Sequence, residues 1–313
     1  MRTQLPFAVL AAAFACSLAT APANARARVF VASYGNDANS CTFGSPCKTF
    51  QQAVNVVDAG GEVTAIDSAG FGPININKSV TITSPPGIEA GIVPTGNSAI
   101  TIAPGSTATV ILRGLTIDGT GTSANYGINF ESAGGALEIF NCTVRNFSSG
   151  GIIVTMSAAT SLLTSNTVVS DMPAYGIYVY TFVDGAPFSV SLEGVTVNNS
   201  FVGVAAGTDS NAAAELQISN SHFDNDGAAI DLGAAGSSAV NATLKNVTIN
   251  QPGTAGIYLI SSSSVYLSQV TISPASAPGI NFFTNTGLTV YTDGTNHYGG
   301  VVGTPNFQTW LSQ

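Results

Sequence analysis

From Ala99 to Phe283, apolar and polar residues alternate in short runs, and the runs return about every 25 residues. Two landmarks keep the period. One is a small or amide residue followed by a triplet that in most units reads apolar–polar–apolar: Gly114-Leu-Thr-Ile, Asn141-Cys-Thr-Val, Asn166-Thr-Val-Val, Gly194-Val-Thr-Val, Asn220-Ser-His-Phe, Asn246-Val-Thr-Ile and Gln269-Val-Thr-Ile. The other is a small residue before a β-branched one: Gly127-Ile, Gly151-Ile, Gly176-Ile, Gly203-Val, Ala229-Ile, Gly256-Ile and Gly279-Ile. The first series steps by 27, 25, 28, 26, 26 and 23 residues, the second by 24, 25, 27, 26, 27 and 23. Two columns in step over this many units predict a solenoid, in which each unit buries its apolar face against its neighbours.

Each unit is too short for two helices, and its apolar residues have the period of a half-buried strand. Val110/Leu112, Leu137/Ile139, Val190/Leu192, Leu216/Ile218 and Val265/Leu267 are predicted to point inward before the first landmark. After it, Leu115/Ile117, Cys142/Val144, Val195/Val197, Val247/Ile249 and Val270/Ile272 do so. A third set follows the glycine column: Ile128/Phe130, Ile152/Val154, Ile177/Val179, Ile230/Leu232, Ile257/Leu259 and Ile280/Phe282. Three short strands per coil describe an all-β parallel β-helix, right-handed by the chirality of the chain. The expectation is about nine coils of roughly 25 residues, a rod about 45 Å long.

Asn tolerates the left-handed backbone that a sharp corner needs. The Asn column therefore reads as structural, with Asn141 and Asn166, and Asn220 and Asn246, placed to hydrogen-bond between coils. On this reading the sequons at Asn141, Asn198 and Asn246 are by-products of the corner pattern. Earlier rungs are less regular: 63–66, 74–76, 80–82 and 100–102 read as strands. Ser79-Val-Thr-Ile matches the first landmark but lies 35 residues before Gly114.

One helix interrupts the strand pattern. Phe50, Ala53, Val54 and Val57 fall at i, i+3, i+4 and i+7, and Thr49 can cap the start. A β-helix exposes an open edge at its first coil, and an amphipathic helix laid over that end covers it. At the far end the repeat dissolves into Asp293-Gly-Thr-Asn-His-Tyr and a tail with the only Trp, Trp310. The predicted organisation is a signal peptide (1–25), an N-terminal strand, disulfide loop and capping helix (26–60), the β-helix (61–290) and a C-terminal closure (291–313).

The N-terminus has the parts of a signal peptide: Arg2, an apolar core over 7–18, and small-x-small cleavage sites at Ala23-Asn-Ala25 or Ala25-Arg-Ala27. Acylation at Cys16 is the competing reading, against which Ala13-Phe14-Ala15 is a poor lipobox. Export, secreted or periplasmic, suits a local disulfide between Cys41 and Cys47. Cys142 takes an inward position and reads as a small core residue. Of 313 residues, 17 are Asp or Glu and 8 are Lys or Arg, and only 8% are charged. That balance argues against nucleic acid or an anionic membrane as partner. No apolar run in the mature chain is long enough to span a bilayer. Neither His222 nor His297 has a cysteine at zinc-site spacing, so neither a metal nor a cofactor is expected. Oligomeric state is left open.

Val29-Phe-Val-Ala-Ser-Tyr-Gly-Asn-Asp-Ala-Asn, Ser45-Pro-Cys-Lys-Thr-Phe-Gln-Gln-Ala-Val and Lys78-Ser-Val-Thr-Ile resemble the N-terminal part of secreted bacterial right-handed parallel β-helix proteins of the pectin-lyase-like superfamily. The resemblance covers nearly the whole mature chain. It implies the fold, but the superfamily holds lyases, hydrolases, epimerases, esterases, tailspikes and adhesins, so it does not choose an activity. The Gly-His-Gly and Arg-x-Lys motifs of polygalacturonases and the Asp-Pro-His of epimerases are missing, and few basic residues are present to meet a polyuronate.

The best local candidate for proton chemistry is Ser221-His222-Phe-Asp224-Asn-Asp226-Gly, because a carboxylate can orient an imidazole. A structural reading competes with it. His222 stands in a column otherwise filled by Thr116, Thr143, Thr196, Thr248 and Thr271, and Asn225-Asp-Gly is an ordinary turn. Tyr178 and Tyr258 on strands, with Tyr126 and Tyr175 in turns, are candidates for stacking on sugar rings. Asp118 and Arg145 are expected to form a surface ion pair. The preferred reading is a non-catalytic exported β-helix, a surface or secreted binding or structural module with polysaccharide as a candidate contact; the alternative is a polysaccharide lyase or hydrolase.

Overall fold

A computed structural model describes residues 26–208, 212–234, 240–260, 263–273, 280–282, 289–299 and 307–309. The proposed signal peptide, Cys16 and Trp310 lie outside them. The chain winds about eight turns of a right-handed parallel β-helix, close to the nine coils expected.

Three parallel sheets run the length of the rod. The first begins at Arg28–Val31, Glu62–Ala65 and Val80–Thr83, and includes Gly135–Phe140, Thr160–Ser165, Phe188–Glu193 and Ala214–Ser219. The second holds Ala90–Ile92, Leu115–Asp118, Thr143–Arg145 and His222–Asp224. The third holds Ile74–Ile76, Ser98–Ile102, Tyr126–Ser132, Gly150–Met156, Ala228–Ala234 and Ala255–Leu259. Two long strands, Val168–Thr181 and Thr196–Thr208, start in the second sheet and finish in the third.

The alternation read from sequence is what the interior shows. Val110, Leu112, Ile117, Ile139, Val144, Ile152, Val197, Ile230 and Leu244 are among the fully buried residues of one continuous core. Each such side chain contributes about 1.5–3 kcal/mol relative to exposure. Ser79-Val-Thr-Ile is placed differently from its landmark. Val80–Thr83 pairs with Val110–Arg113 in the first sheet, while Ala90–Ile92 supplies the second-sheet strand of that coil. The register of neighbours, not the local pattern, decides which sheet a short β-branched run joins.

Two of the three corners of the coil rest on left-handed residues. Between the first and second sheets, Gly114, Asn141, Asn166, Gly194, Asn220, Asn246 and Gln269 have φ between 48° and 69°. Asn246 donates its Nδ2 to Asn220 Oδ1 at 2.7 Å, as the ladder predicts. Asn141 and Asn166 share the backbone conformation, but no side-chain hydrogen bond joins them among the described residues. A second ladder at the other corner was not read from the sequence. Asn146, Asp171, Asn199, Asn225 and Gln251 all have positive φ. Asn225 donates to Asn199 at 2.8 Å, and Asn199 to Asp171 at 3.0 Å.

The glycine column lines the inside of that second corner. A Cβ at Gly176 would lie 2.5 Å from the Gly203 carbonyl oxygen and 2.6 Å from Val197. The backbone of each coil comes too close to the next for most side chains.

The helix Phe50–Val56 covers the first coil, with Phe50, Ala53 and Val54 buried and Phe50 packed on Phe71 at 5.0 Å between ring centroids. Thr49 caps it by accepting from the Gln52 amide at 3.1 Å. Cys41 and Cys47 are bonded and buried beside it. In the segment read as a closure, the described strands continue the ladder. Thr289–Thr292 pairs with Ser264–Leu267, His297–Tyr298 with Thr271–Ile272, and Phe307–Thr309 with Val290–Thr292.

Candidate functional site

The sequence candidates fall in two places. His222 is exposed on the second sheet, in register with Thr196 and Thr248. Asp224 is on the same outward face, where it accepts from Asn250 Nδ2 at 2.6 Å. No hydrogen bond joins His222 to Asp224 among the described residues. Asp226 belongs to the interior: it is only 2% exposed, in the corner where the chain enters the third sheet. Its Oδ1 accepts from the Ser200 amide at 2.7 Å, and Oδ2 has no hydrogen-bond partner. Burial raises its pKa to about 7 against the lowering effect of the Ser200 amide, and the charge of Asp224 adds to the rise. The cluster therefore does not converge. Two groups face solvent and the third closes a corner.

Asp118 and Arg145 form the expected ion pair at 2.8 Å. Burial acts to raise the Asp118 pKa, but hydrogen bonds from Thr120, Asn146 and Arg145 outweigh it and hold the group at about 2. Cys142 is a buried free thiol, and burial pushes its pKa up to about 11.

The tyrosines gather on the outer face of the third sheet. Alternation along Val168–Thr181 turns Tyr178 and Tyr180 outward. Tyr175 lies 4.8 Å from Tyr178 between ring centroids, and Tyr178 lies 5.6 Å from Tyr180 with the planes within 6°. Tyr180 in turn meets Phe182 at 4.7 Å. These rings form a ridge parallel to the strand. In the next coil the outward positions facing Tyr178 and Tyr180 are Ala205 and Gly207, and in the coil after it Asp231 and Gly233. Bulk returns with Tyr258, in register with Asp231, and with Ile260, whose Cδ1 leans to 3.3 Å from where a Gly233 Cβ would be. Two coils that present only Ala205, Gly207, Asp231 and Gly233 between bulkier neighbours leave a trough of about 310 Å³.

Asp231 is the carboxyl in that trough. Its Oδ1 is buried without a hydrogen-bond partner, and burial raises its pKa to about 6. Tyr258 is raised as well, by burial and then by the Asp231 charge. Tyr126 lies two coils from Tyr175, with Gly150 between them. Sequence reading found Tyr175, Tyr178 and Tyr258 but not Tyr180, Phe182 or Asp231. The missing signal was the register: Tyr178, Ala205, Asp231 and Tyr258 are steps of one column.

No family model and no curated protein matches the sequence. Among solved structures, pectate lyase Pel9A superposes with a TM-score of 0.60 at 13% identity, over 90% of this chain and 78% of its own. A rhamnogalacturonan lyase aligns over 78% of this chain and 73% of its own, at 16% identity and a TM-score of 0.47. Full-length tailspike protein 2 from Escherichia coli O157:H7 bacteriophage CAB120 aligns over 81% and 42%, at 14% identity and 0.49. At such identities the likeness concerns architecture. The chain has the right-handed parallel β-helix fold seen in pectate lyase Pel9A.

Proposed function

We propose that this is an exported, non-catalytic β-helix module that binds polysaccharide on its third sheet. The observation that carries the reading is the trough, where a row of aromatic rings faces Ile260 across a floor of Ala205, Gly207, Asp231 and Gly233. Aromatic side chains offer large, rigid contact area with a polar edge, which suits the mixed apolar and hydroxylated surface of a sugar. The Cys41–Cys47 bond supports residence in an oxidising compartment.

The hydrolase form of the alternative has less support on this face. Glycoside hydrolysis calls for two carboxyl groups about 5–9.5 Å apart. Asp231 is the one carboxyl lining the trough among the described residues, and Asp226 is turned into a corner. The test is to pass the purified mature protein over immobilised plant and bacterial polysaccharides, measuring both retention and released product. Retention without product is expected, unchanged by His222→Ala. Cleavage that disappears in that variant would replace this reading with the enzymatic one.

A further inference from the structure

We propose that the trough takes an uncharged pyranose glycan lying across the rod, parallel to the strands, and that it discriminates against polyuronates. This rests on the polysaccharide-binding reading and specifies its ligand and direction.

The direction follows from where bulk and space lie. The ridge from Tyr175 to Phe182 follows one strand, not the stack of coils. Phe182, 61% exposed, ends it at the margin of the sheet. Across the coils, Ile260 closes the opposite side in the coil three rungs away that also carries Tyr258, about 14 Å at the backbone. Tyr180 narrows the space further, its ring lying 2.9 Å from where a Gly207 Cβ would be. A chain running along the rod would have to climb both walls, whereas one running with the strands lies between them. The ridge is seven residue steps long, about 23 Å at strand spacing, enough for about four pyranose units.

The charge preference follows from Asp231. A carboxyl with a buried, unpartnered oxygen gains from a neighbouring donor and is harmed by a neighbouring anion. Sugar hydroxyls supply such donors. A uronate supplies a second carboxylate, and among the described residues neither Lys nor Arg lines the trough to offset the repulsion.

The experiment is calorimetric titration of the mature protein with cellohexaose, xylohexaose, mannohexaose, hexagalacturonate and a fully deacetylated chitosan hexamer. At least one uncharged hexamer should bind, with hexagalacturonate weaker by tenfold or more. Affinity for the uncharged ligand should stop rising near four units, since longer chains overhang the face. Tyr180→Ala and Ala205→Phe, each confirmed folded by circular dichroism, should weaken binding at least tenfold, one by removing ridge and the other by filling floor. Asp231→Asn should narrow the preference for uncharged over uronate ligand at least tenfold. Tighter binding of hexagalacturonate or of the chitosan hexamer overturns the proposal. So does uncharged binding that ignores both trough variants, or that keeps strengthening through six units. If no polysaccharide is retained at all, the binding function itself falls.

Discussion

Asp226 gives the sharpest stability test. Its carboxyl stays protonated in the folded chain up to about pH 7, whereas the ordinary value is 3.8. As pH rises through that interval the unfolded chain releases this proton and the folded chain holds it. The contribution of this group to wild-type stability therefore falls between about pH 4 and pH 7, and levels off above. A gap of about 3 units at about 1.4 kcal/mol each puts the loss on the order of 4 kcal/mol. Asp226→Asn removes the titration while keeping an oxygen to accept from the Ser200 amide. Its Nδ2 replaces an oxygen that already lacks a partner, so a constant penalty of about 1–3 kcal/mol accompanies the change at every pH. The difference between variant and wild type, not its absolute level, carries the information. Urea denaturation followed by far-ultraviolet circular dichroism at pH 4, 5, 6, 7 and 8 measures it. The variant should gain steadily on wild type from pH 4 to 7 and then hold its advantage. Two profiles that run parallel across the range would mean that Asp226 ionises normally and that the corner is more open than described.

Three further outcomes follow from the packing. Asn220→Ala should destabilise by about 1–2 kcal/mol because Asn220 holds φ 51°, and Asn220→Gly should recover most of that in the same denaturation assay. Gly176→Val should prevent folding or lower the melting temperature severely, since its Cβ would meet the Gly203 backbone carbonyl oxygen as well as the Val197 side chain. Cys142 should resist alkylation by iodoacetamide in native protein at pH 8 and react once the chain is unfolded, while Cys41 and Cys47 stay protected until reduced, as peptide mass mapping would read.

The sequence made the core legible because strand period and repeat period agree. The inward residues Ile117, Val144 and Val197 could be assigned without coordinates, and so could the corner that holds Asn220 and Asn246. The second corner escaped notice because Asn, Asp and Gln share it, and the chain there runs on as strand through Asp171 and Asn199. Asp226 looked like a surface turn. Only the close stacking of coils, which sets the Ser200 amide above it, reveals it as buried. The trough was half visible. Outward tyrosines follow from alternation, but a groove is also made of what is missing, and Ala205 and Gly207 say nothing until aligned with Tyr178 and Tyr180.

That a row of small outward residues spans two successive coils has an evolutionary consequence. In a solenoid each coil touches only the ones before and after it, so whole coils can be duplicated or lost without redesigning the rest. The width of the trough is thus counted in coils. Losing the unit that carries Ala205 and Gly207 would set the ridge one step nearer Tyr258, narrowing the opening by about 4.8 Å. Repeating that unit would widen it by the same step. Unequal crossing-over between similar repeats could change the calibre of such a site in single jumps, leaving its two walls intact.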